Sequence, residues 1–196
     1  MKVISWFRLG IKAFGSFVVS FILGTILILV FLSDNQPVFL AWLSQILSIL
    51  VVFGQCYSCI WNEGRMDFNR VKSGQMTYNQ LKGLKAGCVV IALPVLFWAV
   101  TMILKISGVS SIFGFPAASL YKILNFPLLF VFNAFFGSSS LQLLEISYRG
   151  LALCLVPYLI LLFFCTAAYI SGYHQFSLME ILIFKHLPKR KPKQKR

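Results

Sequence analysis

The sequence predicts an all-α integral membrane protein with four transmembrane helices and a re-entrant or interfacial segment. Three observations carry that expectation. Of the 196 residues, 59% are hydrophobic and only 12% are charged, whereas a soluble domain holds about a quarter charged residues. The mean hydropathy is +0.83, and the apolar residues gather in uncharged runs of about twenty, the length that crosses a hydrocarbon core of about 30 Å. Finally, the net charge of +13 sits between and beyond these runs rather than over a solvated surface. It collects at the N-terminus, in one central polar stretch and at the C-terminus. A nucleic-acid-binding surface is therefore not expected.

The first span is read over residues 13–33, after an N-terminus carrying Lys2, Arg8 and Lys12. The run ends in Asp34-Asn35-Gln36-Pro37 rather than in a small-residue cleavage site, so it reads as an uncleaved helix and not a signal peptide. Ser16, Ser20 and Gly24 repeat every fourth position along it and predict a close-packing stripe. The second span is read over 38–61. Its Ser44, Ser48, Gln55 and Cys59 fall on one helical face, which should look into the bundle because polar groups facing lipid are costly.

Trp61 to Lys85 is the long polar interval of the chain, and its Asn62–Ser73 portion could form a short helix ended by Gly74. The expectation is a solvated turn whose charges pair locally, Asp67 with Arg70, or else a docking surface. Thr77-x-x-Gln80 has the form of a capping box opening the third span, read over 86–104, with Gly83-x-x-x-Gly87 as a close-packing spot at its entry. Pro94 should kink that span.

Residues 112–149 read as the re-entrant or interfacial segment. They are broken by Gly114, Pro116 and Pro127, and they end in a polar stripe of Ser138, Gln142, Glu145 and Arg149. The fourth span is read over 151–170, with Pro157 as a kink. Residues 1–184 form one helical membrane domain, and 185–196 form a polybasic tail.

Lysine and arginine counts orient the chain. With four spans and the N-terminus inside, fifteen fall on the inner side and three, Lys105, Lys122 and Arg149, outside; a fifth crossing at 123–144 would leave nine on each side. Positive residues concentrate in cytoplasmic loops, so the expected placement is a multi-pass plasma membrane protein with both termini cytoplasmic, of the bacterial inner-membrane kind.

Chemistry-bearing motifs are sparse. Cys56-x-x-Cys59 with Cys88 is the metal or redox candidate. Structural zinc wants four ligands in two spaced pairs, however, and no second pair accompanies it. Packing is therefore the favoured role for these cysteines, and no cofactor is expected. The five carboxylates Asp34, Glu63, Asp67, Glu145 and Glu180 all lie outside the middles of the spans, and intramembrane acids are the usual proton-relay or ion sites.

The partner or headgroup candidates are Arg65, Asp67, Arg70 and Lys72 in the central stretch, with Lys189, Arg190, Lys191 and Lys193 in the tail. Such basic clusters attract anionic lipid headgroups at a membrane surface. The expected function is a non-enzymatic accessory or scaffold subunit bound to the bilayer and to other membrane proteins. A transporter component, with 112–136 lining a path, is the alternative, and a lipid-metabolism enzyme comes third.

Overall fold

A computed structural model describes residues 5–30, 38–108, 111–112, 115–116, 119, 121–122, 125–128, 131–132 and 146–176. Its helices are α1 (Trp6–Val30), α2 (Val38–Lys72), α3 (Lys82–Ile106), α4 (Tyr148–Leu153) and α5 (Val156–Tyr173). Helices α4 and α5 act as one pass, so four passes are long and apolar enough to cross a membrane. The fold is all-α, apart from a two-residue antiparallel pair, β1 (Ser111–Ile112) with β2 (Phe115–Pro116). The bundle is square: α2 and α3 each pack against both α1 and α5. Large apolar side chains such as Val19, Ile22, Leu50, Leu96, Ile103 and Phe163 point outward, the surface that lipid rather than water demands.

The starts of α1 and α3 meet the ends of α2 and α5 at one end of the bundle, which we call the charged end. Lys85 lies over the Trp6 ring there, and the Trp61 indole N–H donates to the Phe176 carbonyl at 3.0 Å. An even number of passes brings both termini of the helical set to this end. The opposite end carries the connections 31–37 and 107–147, and we call it the loop end.

Small residues set the helix spacing. On α1 the buried stripe is Leu9, Gly10, Ala13, Phe17, Ser20, Gly24 and Ile28, which contains Ser20 and Gly24 of the predicted stripe. Between α2 and α5 the backbones touch: a Cβ on Gly64 would collide with the Tyr169 carbonyl, and one on Gly172 with the Trp61 carbonyl. Between α3 and α5 a Cβ on Gly83 would stand 2.5 Å from the Tyr169 Cβ, and one on Gly87 2.8 Å from a Leu162 methyl. The close-packing role expected of Gly83 and Gly87 is the observed one. In lipid, where burial of apolar surface drives nothing between helices, such contact is a main source of association.

Several boundaries differ from the sequence reading. Helix α1 starts at Trp6, before the span read from 13, because Arg8 and Lys12 are compatible with a helix that emerges from the bilayer. Helix α2 does not stop at Trp61 but runs 35 residues to Lys72, about 52 Å at ~1.5 Å per residue, so its last turns project past a core of about 30 Å. Gly74 ends it as expected, with φ +72°, and the Gln75 N–H returns to the Arg70 carbonyl at 2.9 Å.

The Thr77–Gln80 capping box does not form. Helix α3 opens at Lys82 behind Leu81, which makes no side-chain cap, and Asn79 Oδ1 instead accepts from the Leu81 N–H at 3.0 Å. On α2, Ser44 and Ser48 are buried with Gln45, Cys59 is half-buried and Gln55 is exposed; the inward face passes through Val52, Cys56 and Ile60 instead. Helix α3 runs unbroken through Pro94. Pro157 stands in the first turn of α5, just after the break at Cys154 and Leu155 that divides the fourth pass, where its missing N–H is harmless. The predicted interfacial stripe is described only at Arg149, which is exposed on α4; its Ser138, Gln142 and Glu145 lie outside the described residues.

The re-entrant expectation meets its structure at Phe126–Leu128, a single 3-10 turn packed between α1 and α2. Pro127 sits against Gly24 of α1. Its carbonyl accepts from Gln45 Nε2 at 2.5 Å and from Ser48 Oγ at 3.2 Å. Gly24 lies six residues inside the end of α1 and Ser48 ten residues inside the start of α2, which places the turn about 9–15 Å below the loop end. Irregular backbone at that depth requires protein partners for its polar groups, and Gln45 and Ser48 supply them.

Replacing Gly172 with Ala should force α2 and α5 apart and cost about 1–3 kcal/mol. Gly15→Ala, where an added methyl meets nothing, should be neutral or stabilising by up to ~1 kcal/mol. Thermal unfolding in detergent would check this; equal melting temperatures for the two variants would contradict the close α2–α5 contact.

Candidate functional site

The polar interval singled out in the sequence is the charged end of the bundle, but it is not a solvated turn. Glu63, Asp67 and Arg70 occupy successive turns of α2 on the same face as Cys56 and Ile60, and all three are buried. Lys82, the first residue of α3, is buried against them. Asp67 is wholly inaccessible and Arg70 is 3% exposed.

The four charges form one network. Arg70 Nη1 reaches Glu63 Oε1 and Asp67 Oδ1, both at 2.6 Å. Lys82 Nζ lies 2.5 Å from Asp67 Oδ2 and 3.6 Å from Glu63 Oε1. The Tyr169 hydroxyl of α5 donates to Asp67 Oδ2 at 2.8 Å. Asp67 is thus the node that joins three helices, and both of its oxygens are in use. Arg70 Nε is buried without a hydrogen-bond partner.

The local sequence makes this geometry feasible. Gly64, one residue after Glu63, lets α5 approach until Tyr169 reaches Asp67. Arg70 and Lys72 occupy the last turn of α2, where cations complement the macrodipole. Lys82 has the opposite problem: a cation at the start of a helix meets the positive end of the dipole, and the two carboxylates offset it. Aromatic rings close the outer side. Tyr78 stacks on Tyr173 at 3.8 Å between centroids and near-parallel to Tyr169 at 6.5 Å. Burial, and then the neighbouring Tyr173, pushes the Tyr78 hydroxyl above its usual pKa, which keeps it neutral.

The predicted headgroup residues therefore separate. Asp67 and Arg70 are internal, which corrects their reading as a solvated or docking surface: with the face facing the bundle, they hold helices instead of meeting a partner. Arg65 and Lys72 are exposed, Arg65 over the Trp61 ring at 5.5 Å. Lys189, Arg190, Lys191 and Lys193 lie outside the described residues. Of the candidate cysteines, Cys56 is buried in the bundle, Cys59 is half-buried and Cys88 is exposed on α3. Among the described residues no three His, Cys, Asp or Glu side chains converge as a metal site requires.

Lys82 and Tyr169 are the members that sequence reasoning missed. They lie 15 and 102 positions from Asp67. A usable signal was present on α2, where the spacing 56, 60, 63, 67, 70 carries the buried apolar stripe directly into the charged residues.

A second polar group lies toward the loop end. The Tyr158 hydroxyl donates to Asn125 Oδ1, and Asn125 Nδ2 donates to the Tyr121 carbonyl at 2.8 Å. Buried Lys105 donates to the Ile146 carbonyl and lies 4.6 Å over the Tyr148 ring. Trp98 Nε1 donates to the Leu151 carbonyl at 2.7 Å.

Removing one partner from a buried ion pair strands the other charge, at a cost of about 3–5 kcal/mol. Asp67→Ala should therefore lower stability by that amount, while Arg65→Ala at the exposed neighbour should change it by no more than about 0.5 kcal/mol. Detergent unfolding of both variants checks this, and a similar small effect at both positions would contradict the network. No protein-family model, curated protein or solved structure matches the chain, so a functional reading rests on this geometry.

Proposed function

We propose that the protein is a non-enzymatic accessory or scaffold subunit of a plasma-membrane complex, with its charged end and both termini in the cytoplasm. The observation that supports this is the fate of the charged residues. Glu63, Asp67, Arg70 and Lys82 are committed to each other inside the bundle, which makes the charged end a stiff platform rather than a reaction centre. Arg65, Lys72 and Lys85 remain exposed around it. The excess of lysine and arginine on that side supports the orientation, and the same cations suit anionic headgroups or an acidic face of another membrane protein.

The re-entrant turn at Phe126–Leu128 favours a second reading, a transporter component, because broken backbone at membrane depth lines many substrate paths. Against it stands the engagement of the Pro127 carbonyl by Gln45 and Ser48, a role that holds the turn in place.

Tagged full-length protein released from its own membranes in mild detergent should co-purify with a stoichiometric membrane partner, and Arg65→Glu with Lys72→Glu should release that partner without unfolding the chain. A solitary protein that instead carries a solute into liposomes would replace this reading with the transporter. For orientation, a cysteine added after Arg196 should resist an impermeant thiol reagent on intact cells; labelling would reverse the assignment.

A further inference from the structure

Two cavities lie in line along the seam between α1 and α3. At the charged end Ser5, Trp6, Met76, Thr77, Asn79 and Lys82 line a polar hollow of about 370 Å³. Deeper in the bundle Phe14, Val18, Phe21, Leu93, Pro94 and Phe97 line an apolar cleft of about 200 Å³. The cleft opens outward, since Val18 and Leu93 are 39% and 41% exposed. Between the two cavities α1 and α3 touch, since a Cβ on Gly10 would stand 2.7 Å from the Val89 Cβ; Val89 is only half-buried, so an occupant of both cavities passes over the outer side of that contact.

The rim of the hollow is positive. The Lys85 ammonium lies 5.9 Å from the centroid of the Trp6 ring, and among the described residues it is in no ion pair. Glu63 and Asp67, the nearest acids on α2, are already engaged by Arg70 and Lys82. A tryptophan beside a lysine at the end of a span is the composition of a headgroup-level surface. From Trp6 to Phe14, and from Lys85 to Leu93, the seam advances eight residues, about 12 Å at ~1.5 Å per residue. That carries it from headgroup level into the acyl region.

We propose that this seam binds an anionic glycerophospholipid, with its phosphate at Lys85 and the polar hollow and one acyl chain in the apolar cleft. The occupant follows from the order of the features: a cationic polar hollow directly above an apolar cleft matches an amphiphile with a negative head. A partner helix would leave the hollow unfilled, and a free anion would leave the cleft unfilled. The site depends on the chain lying in a membrane and not on the scaffold role proposed above.

Native mass spectrometry of the full-length protein, with phosphatidylglycerol or phosphatidylcholine of matched chains added to the detergent, tests this. Phosphatidylglycerol should be retained in preference. Lys85→Gln should weaken its retention about fivefold and leave phosphatidylcholine unchanged. Val18→Trp, which fills the cleft from an exposed position, should weaken both lipids. Equal retention of the two lipids, unaffected by either variant, would overturn the proposal. So would displacement of phosphatidylglycerol by inorganic phosphate or by its dihexanoyl form at equal concentration, which would mark a site for the anion alone. A Val18→Trp protein with altered oligomeric state and unaltered lipid retention would instead assign the cleft to contact between copies of the chain.

Discussion

Four buried charges at one end of the bundle govern how the helices meet. Asp67 accepts from Arg70 on its own helix, from Lys82 on α3 and from Tyr169 on α5. Once those bonds are made, α2 must continue past the bilayer, α3 must begin at Lys82, and α5 must come close enough for Gly64 and Gly172 to be required. Taking charges out of water is expensive, and attraction repays it only with good geometry and satisfied lone pairs. The two acids and two bases meet that condition closely, with Arg70 Nε the exception. The network therefore adds little gross stability over an apolar core but penalises any arrangement that separates α2, α3 and α5.

The loop end solves a related problem with neutral groups. The turn at Phe126–Leu128 lies within the bundle: Gln45 and Ser48 hold its Pro127 carbonyl, and the Tyr158 hydroxyl holds the side chain of the preceding Asn125. Neutral donors suit that depth because a charge there would meet a far larger desolvation cost than at the bundle end. Lys105 is the cation at this end, and it sits in the last turn of α3, nearer the surface than the turn, beside a carbonyl and an aromatic face. Paired acids and bases hold one end, and neutral hydrogen bonds with the single buried cation Lys105 hold the other among the described residues; the two together fix a square four-helix bundle.

Much of this was legible in the residues. Runs of uncharged apolar sequence located the four passes, Gly74 marked the end of α2, and Gly83 with Gly87 marked a close helix contact. The interruption at Pro127 pointed to a turn that does not cross. What was not legible came from pairing over distance. Glu63, Asp67 and Arg70 look solvated from polarity alone; in helical phase they continue the stripe of Cys56 and Ile60. Lys82 and Tyr169 could not be assigned, since nothing local announces which distant side chain will neutralise a carboxylate. The Thr77–Gln80 box failed for the converse reason: a favourable local cap lost to the position that places Lys82 on Asp67. Gln55 is exposed because the inward face of α2 follows Val52, Cys56 and Ile60 rather than the polar residues.

A rigid charged end with exposed cations around it, above a seam suited to an amphiphile, is a coherent basis for a membrane scaffold, and all of it presupposes that the buried network couples α2 to α3. A double-mutant cycle between Asp67→Ala and Lys82→Ala, read by unfolding in a bilayer-mimicking detergent, measures that coupling directly. The account predicts that the double variant loses much less than the sum of the single losses, with a coupling of about 1.5 kcal/mol or more. Losses that add to within about 0.5 kcal/mol would show that the two residues act independently and would contradict it.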